Sequence, residues 1–168
     1  EILQSEKLVI EIIKEELIAV KEKFGDERRT KIVAAEGDID VEDLTKNKME
    51  SEQIILPEEM TNAVNKAHEQ MHRVCAVGTE VMRAMEHVAG TNGQLKPYDG
   101  WTNKFIYPPY RFTVANSFFV NFYMPQSSQL MMVAAFAGYE ETMHAYEEAV
   151  KEGYRFGDYG DAMLILND

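Results

Sequence analysis

Between Met60 and Val88 the apolar residues Met60, Val64, Ala67, Met71, Val74, Gly78, Val81, Met85 and Val88 recur at alternating steps of four and three. Such a pattern is a heptad seam, which only a helix can gather onto one side. It predicts one long helix from Pro57 to near Gly90. Pro57 fits a first turn, and Glu58 and Glu59 suit the positive end of the helix dipole. Methionine, alanine and glycine in a seam permit close but loosely specified packing. The expected partner is therefore a helix of the same chain or of a second copy.

A second helix is expected from Pro125, Ser127 and Ser128 to about Glu152, with Gly153 as its stop. Its first half, Leu130 to Tyr139, is apolar all round, and a stripe continues through Met143, Tyr146 and Val150. Between the helices, Gly90 to Pro97 reads as a loop and Tyr98 to Pro125 is rich in aromatic residues. Pro108 and Pro109 forbid a regular helix across them. Tyr110–Val114 and Phe118–Tyr123 read either as two short strands or as one buried helix, and helical neighbours favour the helix. The tail segment Ala162–Leu166 must dock or leave a sticky edge. The predicted fold class is mainly α: a helical hairpin or bundle with an aromatic, possibly short β, middle segment.

Residues 1–23 carry Leu3, Ile10, Ile13, Leu17 and Val20 on one helical stripe, closed by Phe24-Gly25. With the following run, Phe-Gly-Asp-Glu-Arg-Arg-Thr-Lys-Ile-Val-Ala-Ala-Glu-Gly-Asp-Ile-Asp-Val-Glu-Asp-Leu over 24–44, this stretch resembles the gyrase-A polypeptide of bacterial DNA gyrase, where its coiled-coil arm returns. The resemblance implies a piece of a type II DNA topoisomerase that supports geometry, without the DNA-cleaving tyrosine, and a gyrase-like assembly. Composition changes after Leu44. The expected organisation is a gyrase-like coiled-coil end at 1–44, a linker at 45–56 and a helical module at 57–168; a fusion or recombined reading frame with no joint function is a third reading of the abrupt change.

Seventeen basic against twenty-nine acidic residues give a net charge of −12, which opposes a phosphate backbone and predicts no direct nucleic-acid binding. Cys75 is the only cysteine, so no intrachain disulfide can form. No apolar run approaches the roughly 18 residues that span a bilayer, and no leader precedes the first helix. A cytoplasmic protein without a membrane partner is expected.

Two Glu-x-x-His pairs, Glu69/His72 and Glu141/His144, are the candidate metal ligands. Ferritin-like di-metal proteins present such pairs inward from two helices and add carboxylates from two others. The run Tyr139 to Tyr146 resembles the ligand helix of the ribonucleotide reductase small subunit, which implies two iron or manganese ions. Helical geometry opposes this: if Met60, Val64, Ala67 and Met71 face inward, Glu69 and His72 face outward, and no Asp or Glu occurs between Trp101 and Gln129. His68, His72 and Cys75 could share a zinc ion only with a fourth ligand from elsewhere. No phosphate loop, nucleophile elbow or Cys-x-x-Cys is present. The expected function is a non-catalytic packing or association module without a cofactor; the alternative is a di-metal oxidoreductase using Glu69, His72, Glu141 and His144.

Overall fold

The structure, a computed structural model, describes residues 48–157 and 159–167. Along them strands and helices alternate. Strand β1 (Glu52–Leu56) pairs antiparallel with β3 (Tyr98–Thr102), Glu52 lying opposite Thr102 and Leu56 opposite Tyr98. Glu52, Ile54 and Leu56 are buried while Gln53 and Ile55 are exposed, the two-residue alternation of a sheet with one covered face. A second sheet has the order β2–β4–β5, with β4 (Ser117–Asn121) in the middle. It runs parallel to β2 (Cys75–Val77) and antiparallel to β5 (Ala162–Leu166). Four helices complete the described residues: α1 (Glu58–Glu69), α2 (Thr79–Val88), α3 (Ser128–Ala137) and α4 (Tyr139–Lys151).

The mainly helical expectation is corrected by these five strands. The proposed seam helix breaks into α1, β2 and α2. Met71 takes a left-handed φ of 56° and is 93% exposed, so it cannot belong to a buried stripe. Val74 and Ala76 are then buried, with Cys75 and Val77 turned outward. Valine before and after a short apolar run suits a pleated surface better than a helix. Gly78 ends the strand at φ 92°, a conformation that side chains with a Cβ rarely adopt, and its N–H donates to the Phe119 carbonyl at 2.9 Å. The seam thus dissolves, and with it the expected helix partner.

Gly138, at φ 95°, divides the second expected helix in the same way, and the Thr142 hydroxyl donates to its carbonyl at 2.6 Å. Ser127 caps α3, its Oγ accepting the Leu130 N–H at 3.1 Å. The aromatic stretch supplies β3 and β4 rather than a helix. Residues 52–56, expected as the end of a linker, form β1. The gyrase-like stretch expected at 1–44 lies outside the described residues.

The main core gathers Ile54, Met82, Met85, Ile106, Phe118, Val120 and Val133 between the sheets and helices. Phe118, in the central strand, is fully buried and meets Phe136 of α3 edge-to-face at 5.3 Å. A smaller cluster joins Phe122, Tyr146, Ala149 and Phe156. There the Tyr146 hydroxyl accepts the Tyr123 N–H at 2.9 Å, and burial pushes its ionisation up to about 12. Among the described residues no helix is long and apolar enough to cross a membrane.

Two stability measurements follow. Phe118→Ala leaves a void where β4 meets α3 and is expected to cost about 3–5 kcal/mol in urea unfolding. Tyr146 keeps its neutral form in the fold to a higher pH than an ordinary tyrosine, whose value is 10.0. Its contribution is therefore intact below pH 10 and is lost as pH rises towards about 12. Unfolding midpoints across that window should fall more steeply for the parent than for Tyr146→Phe.

Candidate functional site

The buried side of α2 carries polar residues beside its methionines. Thr79, Met82, Arg83 and Glu86 follow one another at helical steps of three, one and three, and all are buried. Arg83 is ion-paired with Glu52 of β1, and both side chains are almost wholly enclosed. Each charge has the other as its nearest compensation, the arrangement a buried ion needs. Glu86 faces the chain between β3 and β4. Its Oε1 accepts the N–H groups of Thr113 at 2.8 Å and Val114 at 2.9 Å. Its Oε2 accepts the hydroxyls of Tyr110 at 3.1 Å and Thr113 at 3.2 Å. Burial, the Glu86 charge and this hydrogen bond together hold the Tyr110 phenol well above its ordinary ionisation range.

Beside this stripe lies a narrow crevice with a cavity volume of about 10 Å³. One wall is the start of α2, with Thr79, Glu80 and Arg83. A second is the start of α3, with Ser128, Gln129 and Met132. The third is the segment after β3, with Lys104, Phe105 and Ile106, and Met49 completes the rim. No side chain caps α2, in contrast to the Ser127 cap of α3. The first-turn amides of α2 thus add partial positive charge to this end of the helix. Lys104 lines the crevice but turns its Nζ towards the other end of α2, where it donates to the Glu86 carbonyl at 2.9 Å and stands 5.3 Å from the centre of the Tyr110 ring. His87, half-buried, is held below its usual ionisation range by burial and by the Lys104 charge. The crevice is lined by two hydroxyls, the Glu80 carboxylate, the Arg83 side chain that Glu52 neutralises and an apolar back wall.

The residues expected to bind metal are placed elsewhere. Glu69 ends α1, His72 follows it in the turn, and Glu141 and His144 lie on α4; all four are exposed. His68 donates its Nε2–H to the Val114 carbonyl at 2.6 Å, and Cys75 is exposed on β2, so the suggested zinc trio does not converge. Among the described residues no group of three or more His, Cys, Asp or Glu side chains could hold an ion. Sequence reasoning does not single out the crevice residues Glu80, Arg83 and Lys104. A signal for two of them exists: an apolar run, Val74–Val77, followed by Gly78-Thr79, is the pattern of a strand turning into a helix N-terminus.

Fold and crevice together define a mixed α/β protein with a polar site at the N-terminal ends of two helices. The family model described as Queuosine biosynthesis protein matches residues 33–165. A protein of Bacteroides fragilis named S-adenosylmethionine:tRNA ribosyltransferase-isomerase is 63% identical over 130 residues, covering 77% of this chain and 37% of the relative. Proteins with the same name from Parabacteroides distasonis and Flavobacterium psychrophilum are 60% and 49% identical, with similar coverage. A crystal structure of S-adenosylmethionine tRNA ribosyltransferase from Thermotoga maritima superposes with a TM-score of 0.64 at 43% identity, covering 68% of this chain and 40% of that one.

The chain belongs to the queuosine biosynthesis protein family. It spans 37% of the length of the Bacteroides relative. This membership overturns the gyrase resemblance and the gyrase-like assembly implied by it. It also overturns both functions expected from sequence, the non-catalytic association module and the ferritin-like or reductase-like di-metal oxidoreductase, because these relatives carry the name of a transferase. The exclusion of nucleic-acid partners falls as well, since the relatives are named for tRNA. Whole-chain charge is the wrong quantity: recognition of folded RNA depends on a few local donors and stacking faces.

Glu86 gives a sharp test of the polar stripe. Glu86→Ala strands the buried N–H groups of Thr113 and Val114 and is expected to cost about 3–5 kcal/mol by urea unfolding. Glu86→Gln keeps one oxygen for both amides, while its NH₂ can donate to the rotatable hydroxyls of Tyr110 and Thr113. Its expected cost is about 1 kcal/mol.

Proposed function

We propose that these residues form part of the substrate site of an S-adenosylmethionine:tRNA ribosyltransferase-isomerase, an enzyme that moves the ribosyl group of S-adenosylmethionine onto tRNA. The observation that carries this reading is the family match over residues 33–165, a segment that includes the crevice lined by Glu80, Arg83 and Lys104. Such a reaction needs a site that holds a charged small molecule against an RNA acceptor. The crevice offers charge of both signs, two hydroxyls and apolar walls, which suits the small molecule. A tRNA substrate and a lone cysteine agree with action in the cytoplasm.

Because the chain spans about a third of these relatives, the test is a chimaera. Residues 33–165 replace the matching third of the Bacteroides fragilis protein, which is then given tRNA and S-adenosylmethionine labelled in its ribosyl carbons. Label retained on the tRNA, and a fall of at least tenfold with Lys104→Gln, is the expected result, the fall reflecting loss of about one charge-assisted contact. A chimaera that folds and melts like the Bacteroides parent but transfers no label would refute the proposal.

A further inference from the structure

We infer that the outer face of the β2–β4–β5 sheet is an interface, and that its occupant is the part of the family's longer chain lying outside the matched stretch. The inference uses family membership and packing, and it stands apart from the functional reading above.

The pairing register assigns the two faces. Cys75, Ser117 and Leu166 stand side by side across the three strands, and Val77, Phe119 and Leu164 form the next row. Asn121 and Ala162 make a third, shorter row. The opposite face carries Ala76, Phe118, Val120, Met163 and Ile165, all of which lie in the main core or pack against it. Among the described residues none of the outer row members belongs to either core cluster. Val77 is 43% exposed and Leu166 55%. Cys75 is exposed as well, and Phe119 and Leu164 are half-buried.

A sheet that keeps one face in water places polar residues on that face. This sheet does not. Its eight outer positions hold no charged residue, although 27% of the chain is charged, and only Ser117 and Asn121 are polar. The β1–β3 sheet is the contrast. Its outer face mixes Gln53 and Asp99 with Ile55 and Trp101, and the Gln53 amide donates to the Asp99 carboxylate at 3.4 Å. Single exposed apolar side chains are ordinary, whereas a contiguous uncharged patch marks a contact surface.

Size decides the occupant. Strands about 4.8 Å apart, with up to about five residues each, present roughly 200 Å² across three strands. A stable complex of separate molecules takes about 800 Å² from each partner, so this face alone does not hold a second copy. A neighbour joined through the chain needs far less, because tethering supplies the effective concentration. The relatives contain such a neighbour: only 37% of the Bacteroides protein and 40% of the Thermotoga chain are covered, and the larger part of each lies beyond the match. The complementary surface is an uncharged aliphatic or aromatic layer.

Cys75, the one thiol of the chain, reports on this face. Its alkylation by a maleimide, followed by peptide mass, is compared between the 168-residue chain and the chimaera carrying residues 33–165. The expected result is alkylation at least tenfold slower in the chimaera. Val77→Lys should leave the melting midpoint of the 168-residue chain unchanged and lower that of the chimaera by roughly 3 °C or more. Equal alkylation rates would overturn the inference, and so would a Val77→Lys chimaera that melts like its parent. Alkylation of the 168-residue chain that slows as its concentration rises, with a doubled mass in sedimentation, would also overturn it, in favour of a second copy. Should the chimaera not fold, the intact Bacteroides protein with a cysteine at the position matching Cys75 takes its place, and rapid alkylation there overturns the inference equally.

Discussion

The enclosed charges of α2 are the constraint on which the described fold depends. An arginine and a glutamate cannot leave water without partners, because each would cost several kcal/mol when stranded in a low-dielectric interior. Arg83 finds Glu52 on β1, and Glu86 finds the backbone of Thr113 and Val114. Helix α2 also packs against β1, β3 and β2, so one ten-residue helix touches both sheets. An apolar stripe in its place could slide or rotate by a residue with little penalty. A stripe with two specific ionic partners fits in one register only. The crevice follows from that register, since turning α2 would carry Glu80 and the uncapped first turn away from Ser128 and Gln129.

Parts of this architecture are legible in the residues. Pro57 immediately precedes α1, Ser127 caps α3, and the apolar tail Ala162–Leu166 docks, as β5. Apolar spacing misleads first at glycine. Gly78 falls on the seam and Gly138 inside the apolar run Leu130 to Tyr139, so both read as interior positions of longer helices, although both take positive φ and punctuate the chain. The same counting finds only part of the inner side of α2, since Met85 of the seam is buried. Val81 and Val88 lie on the seam and are only half-buried, while Arg83 and Glu86 off it are buried. A rule that sends apolar residues inward cannot find a helix whose inner side is charged, because the partners that make such burial tolerable lie 31 and 27 residues away.

The site is hidden for a related reason. Acids and histidines that cluster in sequence attract the search for chemistry, and those clusters, Glu69 with His72 and Glu141 with His144, are solvated. The crevice instead collects one acid and two bases from two segments more than twenty residues apart, none of them notable alone. Averaged charge misleads in the same direction. A balance of −12 describes the whole chain, whereas the start of α2 has its own local field from helix amides.

Strand β4 has a last consequence. Its parallel neighbour β2 precedes it in the chain and its antiparallel neighbour β5 follows it, so Phe118 stands between an early partner and a late one. While the polypeptide is being made on the ribosome, β4 emerges with one side still unpaired. It stays so until roughly fifty further residues have been added, about 2 to 10 seconds at ordinary elongation rates. During that interval the growing chain carries an aromatic strand with one edge unpaired.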